Sequence, residues 1–264
     1  MLHSVFGKAL RESRRGIAAW AIGIAAVGMM YAAFYPSMAD PAMAEALRAF
    51  PPELLEALNM GDLTSPAGYL EGSTFGLLGP LMMIIFATVL GSRAIAGDEE
   101  DGRLDVLLAH PVERWSVVVQ RGLAMVVALA TAGLVLIVGL VAISGPAQLT
   151  EIGAANLAAT TVQLVLLACV FGSLALGVGA LTGSRGAAIG AVAVIGVLTY
   201  LAHTVLPDVS GFEWAENLSP FFYYLGGRPL VNGLQVVDSL VLATTAVVLV
   251  AIGVIGFVRR DIAV

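Results

Sequence analysis

The sequence predicts an all-α membrane protein with six transmembrane helices, and three observations predict it. Only 12% of its 264 residues are charged and 59% are hydrophobic, where soluble domains carry roughly 25% charged residues; mean hydropathy is +0.92. Six stretches free of Asp, Glu, Lys and Arg are each long enough to cross about 30 Å of hydrocarbon as a helix: Gly16–Ala39, Gly72–Ser92, Gly122–Thr150, Ile152–Ser184, Gly186–Pro207 and Ser239–Val258. A single charge at mid-membrane costs about 2.5–3.5 kcal/mol and a Leu or Val returns only about 0.3–0.6, so six charge-free runs in one chain are a strong signal. Third, with six spans, eleven of the thirteen basic residues fall on one side and only Arg48 and Arg228 on the other.

The elements follow in order, within a single domain covering residues 1–264. Residues 1–15 place Leu2, Val5, Phe6, Ala9 and Leu10 on one helical face and Lys8, Arg11, Glu12, Arg14 and Arg15 on the rest. That pattern suits an amphipathic helix lying in the membrane interface; the plainer reading is a short basic flank. A cleaved signal peptide is the rival reading of the first span, Gly16–Ala39, but the run Gly16–Tyr35 is longer than a typical signal core and follows a patterned helix rather than a basic stub. An acidic outer segment, Asp40–Glu71, carries Met43, Leu47, Phe50, Leu54, Leu55 and Leu58. These suit one or two short helices broken at Pro51-Pro52, either a cap or a solvated loop. Pro80 is expected to kink or locally break the second span.

After the fifth span, residues 208–238 hold Phe212, Trp214, Phe221, Phe222, Tyr223 and Tyr224. Such aromatics gather at the headgroups, and Leu218–Leu225 is apolar but too short to span. An outer re-entrant or interfacial helix pair is expected there. The glycine pairs Gly72/Gly76, Gly179/Gly183 and Gly186/Gly190 would let helices approach closely. Arg259 and Arg260 follow the last span. By the positive-inside rule the basic side, and with it both termini, is cytoplasmic.

Several chemistries are excluded. A net charge of −6 speaks against nucleic acid as a partner. One cysteine, Cys169, makes neither a disulfide within the chain nor a zinc site; inside an apolar run it reads as a small core residue. His3, His110 and His203 are too scattered for a metal site. A phosphate-binding loop requires G-x-x-x-x-G-K-[ST], and the only lysine, Lys8, has Gly7 before it and Ala9 after it. No catalytic residue and no cofactor are expected in this chain. Thr160, Thr161 and Gln163 in the fourth span either bond between helices or line a pathway. His203, near the outer end of the fifth, either contacts substrate or is hydrogen-bonded near the interface.

The loop between the second and third spans carries the most information. Its core, residues 97–116, holds an acidic run, Asp98, Glu99, Glu100 and Asp101, then Gly102 and Arg103. A helical patch follows with Leu104, Leu107 and Leu108 at i, i+3 and i+4. His110 precedes Pro111, which disfavours continuing that helix; a second helix is expected to start near Pro111 and lead into the third span. An apolar patch on a short cytoplasmic helix suits a groove on a partner, with the acids adding orientation. The alternative is a solvated charge run beside a membrane-hugging helix.

This loop resembles the coupling-helix region of type-2 ABC exporter permeases, where an acidic pair and a Gly precede a Leu-rich helix, then a Pro and an Arg. The matching positions are Glu99, Glu100, Gly102, Leu104, Leu107, Leu108, Pro111 and Arg114; with Arg103 they are the expected ATPase-docking residues. The acidic run is longer here, Asp98 through Asp101. The basic N-terminal helix, the acidic outer loop, the long segment before the last span and the closing Arg259-Arg260-Asp261 are similar too. The resemblance implies a six-span permease with a cytoplasmic coupling helix in a bacterial cell (inner) membrane. It pairs with a second permease and takes two cytosolic ATPase subunits, which bind ATP and Mg, under the coupling helices. The implied function is export of a drug-like, antibiotic or lipid-like substrate, small and hydrophobic or amphipathic. The competing readings are a secondary transporter, disfavoured because such carriers place ionisable groups inside their spans, and a membrane scaffold subunit without a transport path.

Overall fold

A computed structural model of the chain describes residues 5–40, 65–104, 113–208 and 213–260. These residues form eight helices: α1 (Val5–Met38), α2 (Pro66–Glu100), α3 (Arg114–Ile143), α4 (Ala154–Thr182), α5 (Arg185–Thr204), α6 (Pro220–Leu225), α7 (Pro229–Asn232) and α8 (Val236–Arg259). Short 3-10 turns cover Leu206–Asp208 and Glu213–Leu218, and no strand occurs among the described residues. The long helices α1 to α5 and α8 are each long and apolar enough to cross a membrane. The fold is therefore the predicted six-span, all-helical membrane protein.

Helix ends follow local chemistry rather than the limits of the uncharged runs. α1 takes in the basic segment: residues 5–15 are the start of one unbroken 34-residue helix, not a helix of their own. Lys8, Ala9, Leu10, Arg11 and Glu12 are good helix formers, and Phe6 N donates to Gln120 Oε1 on α3 at 3.1 Å. α2 starts upstream of Gly72 because Ser65 caps it, accepting from Gly68 N at 3.0 Å, with Pro66 at the first turn. α3 stops at Ile143, short of Thr150, since Gly145-Pro146 cannot continue it. α4 ends on Gly183, whose φ of +67° glycine adopts without penalty.

α4 is the central helix. It is hydrophobic all round and packs against α2, α3, α5, α6, α7 and α8; Leu164, Leu167, Phe171 and Leu176 are fully enclosed. α1 lies mainly along α3. The close approaches are made by Gly91 against Gly172 and Gly177 against Gly253. A Cβ on Gly91 would come within 2.3 Å of the Gly172 carbonyl oxygen, and one on Gly253 within 2.8 Å of Gly177 Cα. Of the glycine pairs expected from spacing, Gly179 approaches Ala96 of α2, while Gly190 faces open space.

α2 is not uniformly α-helical. Glu71–Leu78 and Arg93–Gly97 are π-helical. Pro80 has no N–H to give the Gly76 carbonyl, and the register changes from π to α at Gly79, whose N–H bonds Thr74 O. At the end opposite most of the basic residues, α6 and α7 fall within residues 208–238. Tyr224 Oη donates to Phe75 O at 2.9 Å, Asn156 Nδ2 to Leu230 O at 2.9 Å and Ser219 Oγ to Thr199 O at 2.7 Å. Burial, then the nearby Glu71 charge, push the Tyr224 hydroxyl well above its ordinary pKa, so it remains a donor. Most of Asp40–Glu71, together with Phe212, lies outside the described residues.

Candidate functional site

Asp98, Glu99 and Glu100 close α2 directly after its second π-helical stretch. Successive helical residues point about 100° apart, so the three carboxylates fan out, and each meets an arginine from a different helix. Asp98 pairs with Arg121 of α3 and, at 3.4 Å, with Arg103. Glu99 pairs with Arg260 at the end of α8. Glu100 accepts from the Arg185 backbone N–H of α5 at 2.8 Å and faces its Nε at 3.7 Å. Asp101 holds Arg103 at 2.5 Å.

The network extends past the acids. Arg260 Nη1 donates to Ala180 O at 3.1 Å, and Arg114 Nη1 donates to the Arg260 carbonyl at 3.1 Å. Gly183 makes room for it: a Cβ there would stand 2.6 Å from Arg260 Nη2 and 2.7 Å from Glu99 Oε1. Gly102, at φ +67°, turns the chain out of α2 and donates to Glu99 O at 3.0 Å. The pairs differ in burial. Asp98 and Arg121 side chains are 14% and 10% exposed, Glu100 and Arg185 41% and 34%. An enclosed pair is weakly screened and costly to break, whereas an exposed one contributes at most about 1 kcal/mol.

The sequence-predicted docking residues therefore divide. Glu99, Glu100, Gly102, Arg103 and Arg114 lie in or beside this network. Leu104 is 1% exposed and packs into a core with Val5, Ile95, Val117, Val118, Leu176 and Phe257, which anchors the start of the loop to the bundle. Leu107, Leu108, His110 and Pro111 lie outside the described residues. The pairing of Arg121, Arg185 and Arg260 with the acids was not read from the sequence; the available signal was that each sits at the end of a span on the same side as the acids. The network thus joins the ends of α2, α3, α5 and α8 around residues 98–104.

The predicted pathway residues sit elsewhere. Thr160 and Thr161 are enclosed in α4 and donate to Asn156 O at 2.9 Å and Leu157 O at 2.8 Å, the back-bonding that satisfies a hydroxyl within its own helix. Gln163 is fully buried, and neither amide atom has a hydrogen-bond partner. His203, at the end of α5, has Nδ1 3.4 Å from Glu216 Oε1. A separate groove of about 520 Å3 runs between α2 and α5, lined by Leu77, Leu81, Ile85, Val192, Val197 and Tyr200 among others and almost wholly apolar. Among the described residues, no group of His, Cys, Asp or Glu is placed to hold a metal ion.

A family model described as ABC-2 family transporter protein matches residues 3–262. No curated protein matches the chain.

Proposed function

The chain belongs to the ABC-2 transporter family, and from that premise we propose that it is the membrane-spanning subunit of an ATP-driven exporter. The observation that carries the proposal is the family match over residues 3–262, in a sequence with six spans and no phosphate-binding loop. On this reading ATP and Mg are bound by separate cytosolic ATPase subunits, two copies serving a pair of permeases. The arginine-rich end faces the cytoplasm. The loop after α2 is the docking element, with Leu107 and Leu108 entering a groove on the ATPase and the exposed Arg103 and Asp101 beside it giving orientation.

The ion-pair network supports a mechanical role for that loop. Closure of the ATPases on ATP would push on residues 98–104, and the Asp98–Arg121, Glu99–Arg260 and Glu100–Arg185 pairs would pass the displacement to α3, α8 and α5. The helices would then shift as near-rigid bodies between inward-open and outward-open states, by population shift. The substrate is small and hydrophobic or amphipathic, which suits the apolar α2–α5 groove. Of the polar positions considered for the path, Gln163 is fully buried with neither amide atom hydrogen-bonded within the protomer.

The test is affinity purification of the tagged chain from its native membrane. A co-purifying protein with a Walker A loop is expected, together with ATP-dependent substrate movement when both are placed in vesicles. Leu107→Glu and Leu108→Glu should each lose that partner while the spans stay folded. Normal complex formation by both variants would overturn the docking assignment, and transport without any ATPase would overturn the exporter.

A further inference from the structure

We infer that a cleft among α1, α2 and α3 at the arginine-rich end binds an anionic membrane lipid, its phosphate on Arg93 and its acyl chain over Trp20 and Phe86. The inference concerns a resident membrane component, not the transported substrate, and does not rest on the exporter reading. The cleft encloses about 630 Å3, a volume in the range of ligand pockets, roughly 300–1,000 Å3. It has two chemically distinct parts. Its floor is apolar: Ile17, Trp20, Phe86, Leu90 and Met125, with the Trp20 and Phe86 rings stacked at 5.5 Å between centroids. Its rim is charged.

Accounting for the rim charges singles out one group. Asp98 takes Arg121 and Arg103, Asp101 also takes Arg103, Glu100 takes Arg185, and Glu12 faces Lys8 at 3.9 Å. Arg93 also lines the cleft, and its guanidinium has no ion pair or hydrogen bond among the described residues. Its stem lies over Gly97, where a Cβ would meet Arg93 Cβ at 3.3 Å, while the residue as a whole is exposed. A guanidinium held in this way presents forked donors that match a phosphate.

Position adds the second half of the argument. Ile17, Trp20, Phe86 and Leu90 belong to the uncharged stretches of α1 and α2, and Arg93 and Arg121 stand at the margin of the uncharged stretches of α2 and α3. The cleft thus crosses the boundary between hydrocarbon and headgroups. A free anion would use only the rim, and a neutral hydrocarbon only the floor; a lipid with a charged head uses both. Basic pockets between transmembrane helices are known binding places for anionic headgroups. Gly16 lines the same cleft, and a Cβ there meets nothing within 4 Å, so the apolar part is open beside it.

The experiment uses the full chain, purified and delipidated in mild detergent, with thermal unfolding as readout, because a ligand that binds the folded state raises the midpoint. It is titrated separately with phosphatidylglycerol, phosphatidylcholine and inorganic phosphate. Phosphatidylglycerol is expected to raise the midpoint, and the other two are not. Arg93→Gln should weaken the phosphatidylglycerol titration about tenfold, the loss of one charge-assisted hydrogen bond. Gly16→Leu, which places a side chain in the open part of the cleft, should abolish the shift with Arg93 intact, and Arg14→Gln, outside the cleft, should preserve it. Equal shifts with phosphatidylcholine, a shift reproduced by phosphate alone, or an unchanged titration by either Arg93→Gln or Gly16→Leu would overturn the inference.

Discussion

Asp98 and Glu100 lie two residues apart and both face an arginine, yet burial separates their expected contributions. Asp98→Asn leaves Arg121 charged in a site where its side chain is only 10% exposed, a loss of about 3 kcal/mol on the scale of enclosed pairs deprived of one partner. Glu100→Gln removes a pair that water and salt already screen, at a cost of about 0–1 kcal/mol. Unfolding of the two variants in detergent should show that order, and the reverse order would mean that the network is not graded by enclosure. Gly183 offers a sharper comparison. Gly183→Ala combines left-handed backbone strain of about 1–2 kcal/mol with a Cβ driven against Arg260 and Glu99. Gly102→Ala carries the same strain at the same φ of +67° but meets nothing within 4 Å. The excess loss in Gly183→Ala therefore measures the Glu99–Arg260 contact, and equal losses would show that the contact contributes nothing to stability.

Among the elements, α2 departs furthest from a regular helix, and its π-helical stretches bracket the segment that packs on α4. In a π-turn the carbonyl oxygens crowd positions that are free in an α-helix: a Cβ on Gly76 would stand 2.7 Å from Glu71 O, and one on Gly79 2.5 Å from Thr74 O. The sign of a glycine-to-alanine change then reports the local geometry. In an ordinary exposed helix the change stabilises by about 0.5–1 kcal/mol, which is the expectation for Gly23→Ala in α1 and Gly190→Ala in α5, where nothing lies within 4 Å. Gly76→Ala and Gly79→Ala should instead destabilise. Stabilisation at Gly76 would mean that Glu71–Leu78 is α-helical in the membrane, with the side chains of that segment turned to other neighbours.

At the scale of the molecule, what the sequence made legible was what local chemistry controls. Charge exclusion marks a membrane span residue by residue, so all six spans were readable, and errors fell where a break carries no charge, as at Gly145-Pro146. The central place of α4 was not readable, because lipid and protein interior select the same apolar residues. The acid–arginine pairs were not readable either: arginines at span ends satisfy the topology rule whether or not they pair, and pairing depends on which helix ends the fold brings together. The same holds for Leu104, whose spacing with Leu107 and Leu108 marks a face without saying what covers it. The fold does sharpen the topological argument. Phe6 with Gln120, Asp98 with Arg121, Glu99 with Arg260 and Glu100 with Arg185 join the start of α1, the end of α2, the start of α3, the start of α5 and the end of α8 at one end of the bundle. Eleven of the thirteen basic residues belong to those termini and the loops beside them. That asymmetry predicts a cytoplasmic position for this end, and it can be read in whole cells. Replacing the buried Cys169 by Ala gives a chain without cysteine. In that background Glu151→Cys, an exposed position at the opposite end, should react with a membrane-impermeant maleimide added outside. Glu12→Cys, exposed on α1 at the arginine-rich end, should react only after the cells are permeabilised. The opposite pattern would turn the molecule over, place the 98–104 network outside the cell and remove it from the reach of any cytosolic ATPase.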